Sequence, residues 1–264
     1  SDYFALTPGT DYQPPSKLGL SMNVGSGWTL DVIQKVEPET ITDIDYLKYT
    51  DGDGTTHYFM EDSEKKAKDT EGYTHFDEDG LGLKMKVNST NNYTMADDKG
   101  NTWTFTNNYL TCITDGDGNK TNITYSSGKI TEIKQVNNGQ ASVRVAKFTY
   151  NGNNLESVQD AAGNVYTLVY NSTKLASIQR DNTTIASYTY DGYRLNKMTD
   201  TESSYSLAFT YEDGKVSSYK EMGGSTTGAY VGITYPNHSQ TTYRDSGNDR
   251  VLGNEDDIIT NYLF

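Results

Sequence analysis

The acidic stretch DSGNDRVLGNEDD, at 245–257, carries the densest group of side chains that could do chemistry. A hard cation such as Ca²⁺ prefers several oxygen ligands close together, and carboxylates supply them. The candidate ligands in this stretch are Asp245, Asp249, Asp256 and Asp257. A solvated acidic turn has the same composition. We favour the turn, and a calcium site is the alternative.

Two other acidic, Gly-rich stretches invite the same question. DGDGN at 115–119 spaces three oxygen-bearing side chains two residues apart, and DGDG at 51–54 begins in the same way. An EF-hand loop needs Gly at its sixth position and Glu at its twelfth. The first stretch has Lys120 and Ser126 at those positions, so the EF-hand pattern fails. We predict that both stretches are turns between strands.

Nucleophilic and metal-dependent chemistry has little support in the sequence. The histidines are His57, His75 and His238. None has a close partner at a spacing typical of a metal motif. The single cysteine, Cys112, lies between Leu110 and Ile113, where a small core side chain is expected. No nucleophile elbow, P-loop or dinucleotide fingerprint occurs, so we predict no enzyme activity and no cofactor, the calcium alternative aside.

The composition indicates many short strands. The chain has 264 residues, 22 of them tyrosine, and Tyr, Thr and Val favour strands whereas Asn, Gly and Asp favour turns. The formal net charge of −14 disfavours nucleic acid and anionic membranes as partners. No apolar run is long enough to span a membrane as a helix. We therefore predict an all-β protein without a nucleic-acid partner or membrane insertion.

An aromatic residue with apolar residues five and eight positions later recurs six times. These anchors are Phe105, Tyr125, Tyr150, Tyr170, Tyr190 and Tyr211. They are separated by 20, 25, 20, 20 and 21 residues, and a period near 20 indicates a repeat architecture. Four turn-prone residues follow each anchor, which predicts a β-hairpin for each unit. We expect the anchors to have a structural role.

The returning strand of each hairpin raises a geometric question. Its two apolar positions are three residues apart, and regular alternation would put them on opposite faces of the strand. A β-bulge or an early bend would bring them to one face, and both remain open. One hairpin alone buries too little apolar surface to fold, so neighbouring hairpins must pair along their edges.

The repeats resemble the YD repeats of the RHS family. The resemblance covers most of the chain from about Leu18 onward. It is carried by YNGNNLESVQDAAGN at 150–164, YTYDGYRLNKMTD at 188–200 and FTYEDGKVSSY at 209–219, and by a lead-in with GSGWTLDVIQKV at 25–36, YTDGDGTTHYF at 49–59 and DDKGNTWTF at 97–105. The family includes bacterial polymorphic toxins, wall-associated proteins and the animal teneurins. Its Asp-Pro-rich core motif, linked to self-cleavage, is absent from this sequence.

The resemblance implies an architecture and a division of the chain. Family repeats spiral into a hollow β-shell, so we expect YD-type hairpins in one curved, mainly antiparallel, spiralling sheet, an open fragment of such a shell. The expected segments are an irregular one at 1–17, a lead-in β region at 18–102, six hairpins at 103–221, and a Gly/Ser/Thr-rich connection with a degenerate repeat and the acidic loop at 222–264. The charged run at 61–72 is either one short exposed helix or a long loop, and we favour a loop or a frayed turn.

The implied function is that of a non-catalytic structural module in a large secreted or cell-surface bacterial protein. It would form part of a shell that encloses or displays another domain. Its partners would be the remainder of its own chain and an encapsulated C-terminal toxin domain. One alternative is an adhesive module that binds glycans through exposed aromatic rings, and a less favoured one is a glycoside hydrolase with paired carboxylates. We expect the strand-prone IITNYLF at 258–264 to form an exposed edge where copies of the chain meet.

Overall fold

A computed structural model of the chain describes residues 20–140, 143–223 and 226–263. This part of the chain contains 21 strands and one short helix, and the strand pairings that the structure describes are antiparallel. The predicted all-β, mainly antiparallel fold is confirmed. The predicted irregular segment at 1–17 lies outside the described residues. No helix in the described part is long and apolar enough to cross a membrane.

The described chain divides into two compact units. Unit 1 contains residues 20–24 and Trp28–Val165, and unit 2 contains Gly25–Gly27 and residues 166–263. The segment boundaries inferred from the repeats follow sequence pattern and not compactness, and they stay a prediction.

Unit 1 consists of twelve strands and the helix. The strands are β1 (Lys35–Ile41), β2 (Ile44–Thr50), β3 (Thr56–Glu61), β4 (His75–Asp77), β5 (Lys84–Ser89), β6 (Asn92–Ala96), β7 (Thr102–Thr106), β8 (Tyr109–Thr114), β9 (Lys120–Ser126), β10 (Lys129–Val136), β11 (Val143–Asn151) and β12 (Asn154–Gln159). Strands β1 to β8 each pair with the next. Strands β9 and β10 then continue from β8, and β11 and β12 from β10.

The first eight strands form a closed ring, because β1 also pairs with β8. Backbone hydrogen bonds at this closure run from Val36 N to Asn108 O, at 2.9 Å, and from Leu110 N to Gln34 O, at 3.0 Å. An open sheet was predicted here, and the ring corrects that prediction. Closure pairs part of the edge of β1 with the part of β8 that β9 leaves unpaired, so less strand edge is free to pair with other chains.

The segment before β1 contributes much of the core of unit 1. Leu20, Met22 and Val24 alternate along it and are at most 4 % exposed. The residues between them bind hairpin turns: Ser21 N donates to Gly128 O and Asn23 N to Asn153 O. Further along the segment, Trp28 and Leu30 are also buried. Strand residues complete this core, among them Val36, Phe59, Met85, Met95, Phe105 and Leu110.

The charged run contains the helix α1 (Ser63–Lys68), so the interpretation as a loop was wrong. The Asp62 carboxylate accepts hydrogen bonds from the backbone N–H groups of Glu64 and Lys65, both at 2.9 Å. An Asp at this position satisfies donors that the first helical turn leaves unpaired. None of the helical residues is buried, so local capping and not packing stabilises α1.

Unit 2 is a succession of hairpins in which each strand pairs with the next. Its strands are β13 (Val165–Asn171), β14 (Lys174–Arg180), β15 (Thr183–Asp191), β16 (Arg194–Asp200), β17 (Tyr205–Glu212), β18 (Lys215–Gly223), β19 (Thr226–Asn237), β20 (Gln240–Asp245) and β21 (Ile258–Leu263). Every residue of β21 is exposed, and its described partner is β20. The last residue of the predicted edge, Phe264, lies outside the described residues.

Candidate functional site: the tyrosine ladder

Each anchor pairs with the residue five positions later, next to the turn of its hairpin. In β15 and β16, Tyr190 is opposite Leu195 and Thr189 is opposite Lys197, so Asn196 is an extra residue on the returning strand. The register shifts at the same place in all six hairpins. The extra residues, each six positions after its anchor, are Thr111, Thr131, Glu156, Ala176, Asn196 and Ser217.

This bulge accounts for the spacing of the apolar residues. In β11 and β12, Tyr150 pairs with Leu155 and Phe148 pairs with Val158. Directly opposite residues share a face of the sheet, so the bulge brings Leu155 and Val158 to the same face. Both are buried, with exposures of 1 % and 7 %. Of the two alternatives that the sequence left open, the structure therefore has the bulge.

The turns of the hairpins have two residues each, and the backbone conformation of those residues explains which residue types occur there. Asn107 and Asn108 connect β7 and β8 with φ of 51° and 75°. Asp213 and Gly214 connect β17 and β18 with φ of 49° and 84°. Two consecutive residues with positive φ make a type I′ turn, whose twist matches that of the paired strands. Asn, Asp and Gly adopt this conformation at the lowest cost, which accounts for their recurrence after each anchor.

Anchor hydroxyls connect one hairpin to the preceding one. Tyr211 Oη donates to Leu195 O at 2.7 Å, and Leu195 is five residues after the preceding anchor. The same contact is made by Tyr150 with Ile130 at 2.8 Å, by Tyr190 with Leu175 at 2.7 Å and by Tyr235 with Val216 at 3.1 Å. We call this series the tyrosine ladder. Tyr235 belongs to the degenerate repeat, so the ladder continues after the six hairpins found in the sequence.

A cationic side chain lies over the ring at each of these steps. The cations are four residues after the preceding anchor, and the pairs are Lys129 with Tyr150, Lys174 with Tyr190, Arg194 with Tyr211 and Lys215 with Tyr235, at 4.6–5.5 Å from the ring centroid. A cation over an aromatic face is attracted by the ring quadrupole. Each step of the ladder therefore combines a hydrogen bond with a cation–π contact.

The first two anchors depart from this arrangement. Phe105 has no hydroxyl and is fully buried. The hydroxyl of Tyr125 is buried without a hydrogen-bond partner among the described residues. Burial raises the pKa of Tyr125 well above its ordinary value. The ring of Tyr109 lies 6.1 Å from that of Tyr125 and occupies the position that a cation has in later hairpins.

The loops between hairpins use a recurring Asp-x-x-Gly-Asn sequence. Asp115 Oδ1 accepts from the backbone N–H groups of Asp117 and Asn119, and its Oδ2 accepts from Asn119 Nδ2 at 2.7 Å. Asp97 and Asp160 make the equivalent bonds in their loops. The hydrogen bond from Asn119 lowers the pKa of Asp115. The Asp115 carboxylate of DGDGN is thus engaged in hydrogen bonds within its own loop.

Successive loops are linked to one another. Gly116 N donates to Asn101 Oδ1 at 3.1 Å, and Asn138 N donates to Asn119 Oδ1 at 2.9 Å. A Cβ at Gly116 would lie 2.7 Å from Lys99 O, so a side chain there would push the two loops apart.

The acidic stretch at 245–257 uses its carboxylates in hydrogen bonds within the loop. Asp245 accepts from Gly247 N at 3.1 Å, and Asp256 accepts from Asn248 N at 3.0 Å. These bonds shape the turn that connects β20 and β21.

The other two calcium candidates have similar partners. Asp249 accepts from Asn254 Nδ2, and Asp257 accepts from Gly253 N at 2.7 Å and from the Arg244 guanidinium at 3.1 Å. The Asp257 side chain is only 1 % exposed. In the described part of the chain, no group of three or more His, Cys, Asp or Glu side chains could hold a metal ion. Calcium binding remains a prediction to be measured.

His57 has partners that the sequence analysis did not find. Its Nδ1 lies 3.0 Å from Asp79 Oδ2, and its Nε2 lies 3.2 Å from Asp51 Oδ2. Asp51 belongs to DGDG, which was predicted to be a turn between strands, and its proximity to His57 in sequence was the available signal. His75, by contrast, contacts Thr74 Oγ1, and burial lowers the pKa of His75. Cys112 is partly buried in β8.

The glycan-binding alternative requires exposed aromatic rings, and unit 2 contains some. Tyr193 is 91 % exposed. Tyr243 and Tyr262 are 5.3 Å apart between ring centroids, with an interplanar angle of 78°. Because these two rings are nearly perpendicular, they do not form the flat platform on which a sugar ring would stack.

Comparisons with known proteins give structural likenesses of low similarity. No family model matches the chain, and no curated protein does. Three of the solved structures that match the chain illustrate the low similarity. "TcdB2-TccC3-TEV" is 10 % identical over 77 % of this chain, with a TM-score of 0.31. "TcdB2-TccC3 without hypervariable C-terminal region" is 12 % identical over 80 % of this chain (TM-score 0.36), and "TcdB2-TccC3-Cdc42" is 14 % identical over 80 % (TM-score 0.35). The chain spans about 15 % of the length of each of them. At these TM-scores the likeness supports no statement about function.

Proposed function

We propose that this chain is a non-catalytic structural module, part of an RHS-type β-shell that encloses or displays another domain of a large secreted or cell-surface protein. The tyrosine ladder is the observation that carries the proposal. A contact that recurs at successive hairpins serves the architecture, whereas a catalytic or binding site is built once. Hairpins joined in this way can extend a wall by addition of identical steps.

The two faces of the repeat hairpins differ in burial, which fits this role. Residues five positions after the anchors, such as Leu155, Leu175 and Leu195, are at most 5 % exposed. The Thr residues that precede the anchors, such as Thr189 and Thr210, are exposed on the other face. A sheet with one apolar and one polar face is suited to separate an interior from solvent.

Limited proteolysis of the parent protein tests this function. The double variant Tyr190→Ala/Tyr211→Ala removes two steps of the ladder, and Thr189→Ala/Thr210→Ala is the matched control on the opposite face. We expect a segment outside this module to be protected in the wild type and the control, and to be cleaved in the ladder variant. Equal cleavage in the wild type, the control and the ladder variant would refute the proposal that this module forms part of a shell. So would turnover of a glycan by the isolated chain that a single carboxylate substitution abolishes.

A further inference from the structure

The imidazole of His57 lies between the carboxylates of two different loops. Asp51 is in the loop 51–55, between β2 and β3, and Asp79 is in the loop 78–83, between β4 and β5. The His57 side chain is 14 % exposed, and it stacks on Tyr49 with ring centroids 5.8 Å apart.

A carboxylate is an acceptor only, and a neutral imidazole has a single N–H. Hydrogen bonds from both ring nitrogens to ionised carboxylates therefore require the imidazolium form. When the proton is lost, one nitrogen presents its lone pair to a carboxylate at about 3 Å, and that contact changes from attraction to repulsion. The geometry alone makes the link between these loops dependent on protonation.

We propose that protonated His57 links the loop 78–83 to the loop 51–55 through hydrogen bonds to Asp79 and Asp51, and that the link opens when the imidazolium loses its proton. We call this link the latch. On deprotonation, the contact between His57 Nδ1 and the Asp79 carboxylate is the one that breaks. Asp51 keeps two backbone donors from its own loop, Thr55 N at 2.9 Å and Asp53 N at 3.2 Å. Among the described residues, Asp79 has no hydrogen-bond partner except His57.

The groups that face the imidazole from the packed elements are consistent with this device. They are Asp51 and Asp53 in one loop, Asp79 in the other, and the phenol Tyr49 on β2. Burial lowers the pKa of His57, but the hydrogen bonds to Asp79 and Asp51 outweigh it and the net pKa is raised. A raised pKa means that the latch is complete below roughly pH 6.5 and is lost as the pH rises through the folded value.

Proton NMR and hydrogen exchange on this chain test the proposal. We expect the Hε1 signal of His57 to titrate above the ordinary histidine value of about 6.5, and Asp79→Asn to shift that titration down. Corrected for intrinsic rates, protection of the amides in 78–83 should fall about two- to fivefold as the pH rises from 5.5 to 8.5, a size typical of a partly exposed ion pair. His57→Gln should remove this change, and the control His75→Gln should retain it.

Three results would overturn the latch. His57 could titrate at or below the ordinary histidine value of about 6.5, the amides of 78–83 could show no pH-dependent change in protection, or His57→Gln could leave that change intact. The first measurement uses the wild-type chain alone, so it decides the matter even if a variant fails to fold.

Discussion

The hydroxyl of Tyr211 donates a hydrogen bond to the carbonyl oxygen of Leu195 at 2.7 Å, so the anchor of one hairpin binds the returning strand of the hairpin before it. The Arg194 guanidinium, one residue earlier on the same strand, lies 5.5 Å from the centroid of the Tyr211 ring. Each tyrosine is thus held by its ring and by its hydroxyl at once.

Removal of this hydroxyl should cost stability. We expect Tyr211→Phe to lower the free energy of unfolding by about 1 kcal/mol, since a part-buried carbonyl loses its phenolic donor while the ring contacts remain. Urea unfolding followed by circular dichroism measures the change. Tyr193→Phe is the control, because Tyr193 is 91 % exposed and should show no change. Equal losses in the two variants would contradict the ladder.

The bulge predicts that its extra residue can be deleted without turning the buried side chains of the returning strand to the other face. Deletion of Glu156 leaves Leu155 and Val158 two residues apart, so regular alternation keeps both on the buried face, and we expect the free energy of unfolding to change by less than about 1 kcal/mol. Glu156→Ala keeps the bulge, and because Glu156 is exposed it should stay within about 0.5 kcal/mol of the wild type. Thermal unfolding of both variants compares them. A deletion that costs as much as the loss of one buried side chain, about 1.5–3 kcal/mol, would contradict this interpretation of the bulge.

The Asp-x-x-Gly-Asn loops predict a loss of stability in acid. The hydrogen bond from Asn164 is the main cause that lowers the pKa of Asp160 below its ordinary value. A lowered pKa in the folded state contributes stability that is present above the ordinary value and lost as the pH falls through the folded one. Asp160→Asn should therefore reduce the dependence of the free energy of unfolding on pH below about pH 4. The exposed Asp181→Asn is the control, and identical slopes for both variants would speak against the loop bonds.

Chelation should have little effect on the acidic stretch at 245–257. Its carboxylates already accept hydrogen bonds within the loop, as Asp249 does from Asn254. We expect EDTA to change the melting temperature by less than about 2 °C, the shift that about 0.5–1 kcal/mol would cause. A larger loss that calcium alone reverses, and that Asp249→Ala abolishes, would establish a calcium site instead.

Strand β21 should promote contact between copies of the chain. It is fully exposed, and its sequence IITNYL contains no charge or proline to discourage strand pairing. Light scattering over a range of concentrations should show association in the wild type, and Thr260→Lys should reduce it. Lys48→Arg, a change far from β21 in sequence, should leave association unaltered. A wild type that stays monomeric at all concentrations would contradict the prediction.

The parts of this fold that sequence predicts are local ones. Anchors, turns and returning strands lie within about 20 residues of one another, so the spacing after Tyr190 or Tyr211 was enough to locate a hairpin. Whether the returning strand bulges or bends depends on backbone conformation at a position such as Asn196, where Thr, Glu or Ala serves equally well in other hairpins. No residue type marks that position.

Contacts between distant residues were beyond reach for a different reason. The ring closes where Lys35 meets Tyr109, and nothing in either local sequence specifies the other. The hydroxyl of each tyrosine could be assigned a partner only after the order of strands was known. The partner of His57 in the second loop, Asp79, is 22 residues away, on the far side of two strands and a helix.

The bulge also bears on how such a chain can grow by gene duplication. Because one extra residue on each returning strand resets the alternation, every hairpin enters and leaves with its apolar side chains facing the same way. A duplicated or deleted stretch of one whole period, such as the 20 residues between Tyr170 and Tyr190, would preserve the facing of all that follows. One extra residue within a strand would invert the facing, whereas a loop between hairpins absorbs one, as the spacing of 21 residues between Tyr190 and Tyr211 shows. Whole hairpins can therefore be gained or lost without changing which face the apolar side chains of the other hairpins occupy.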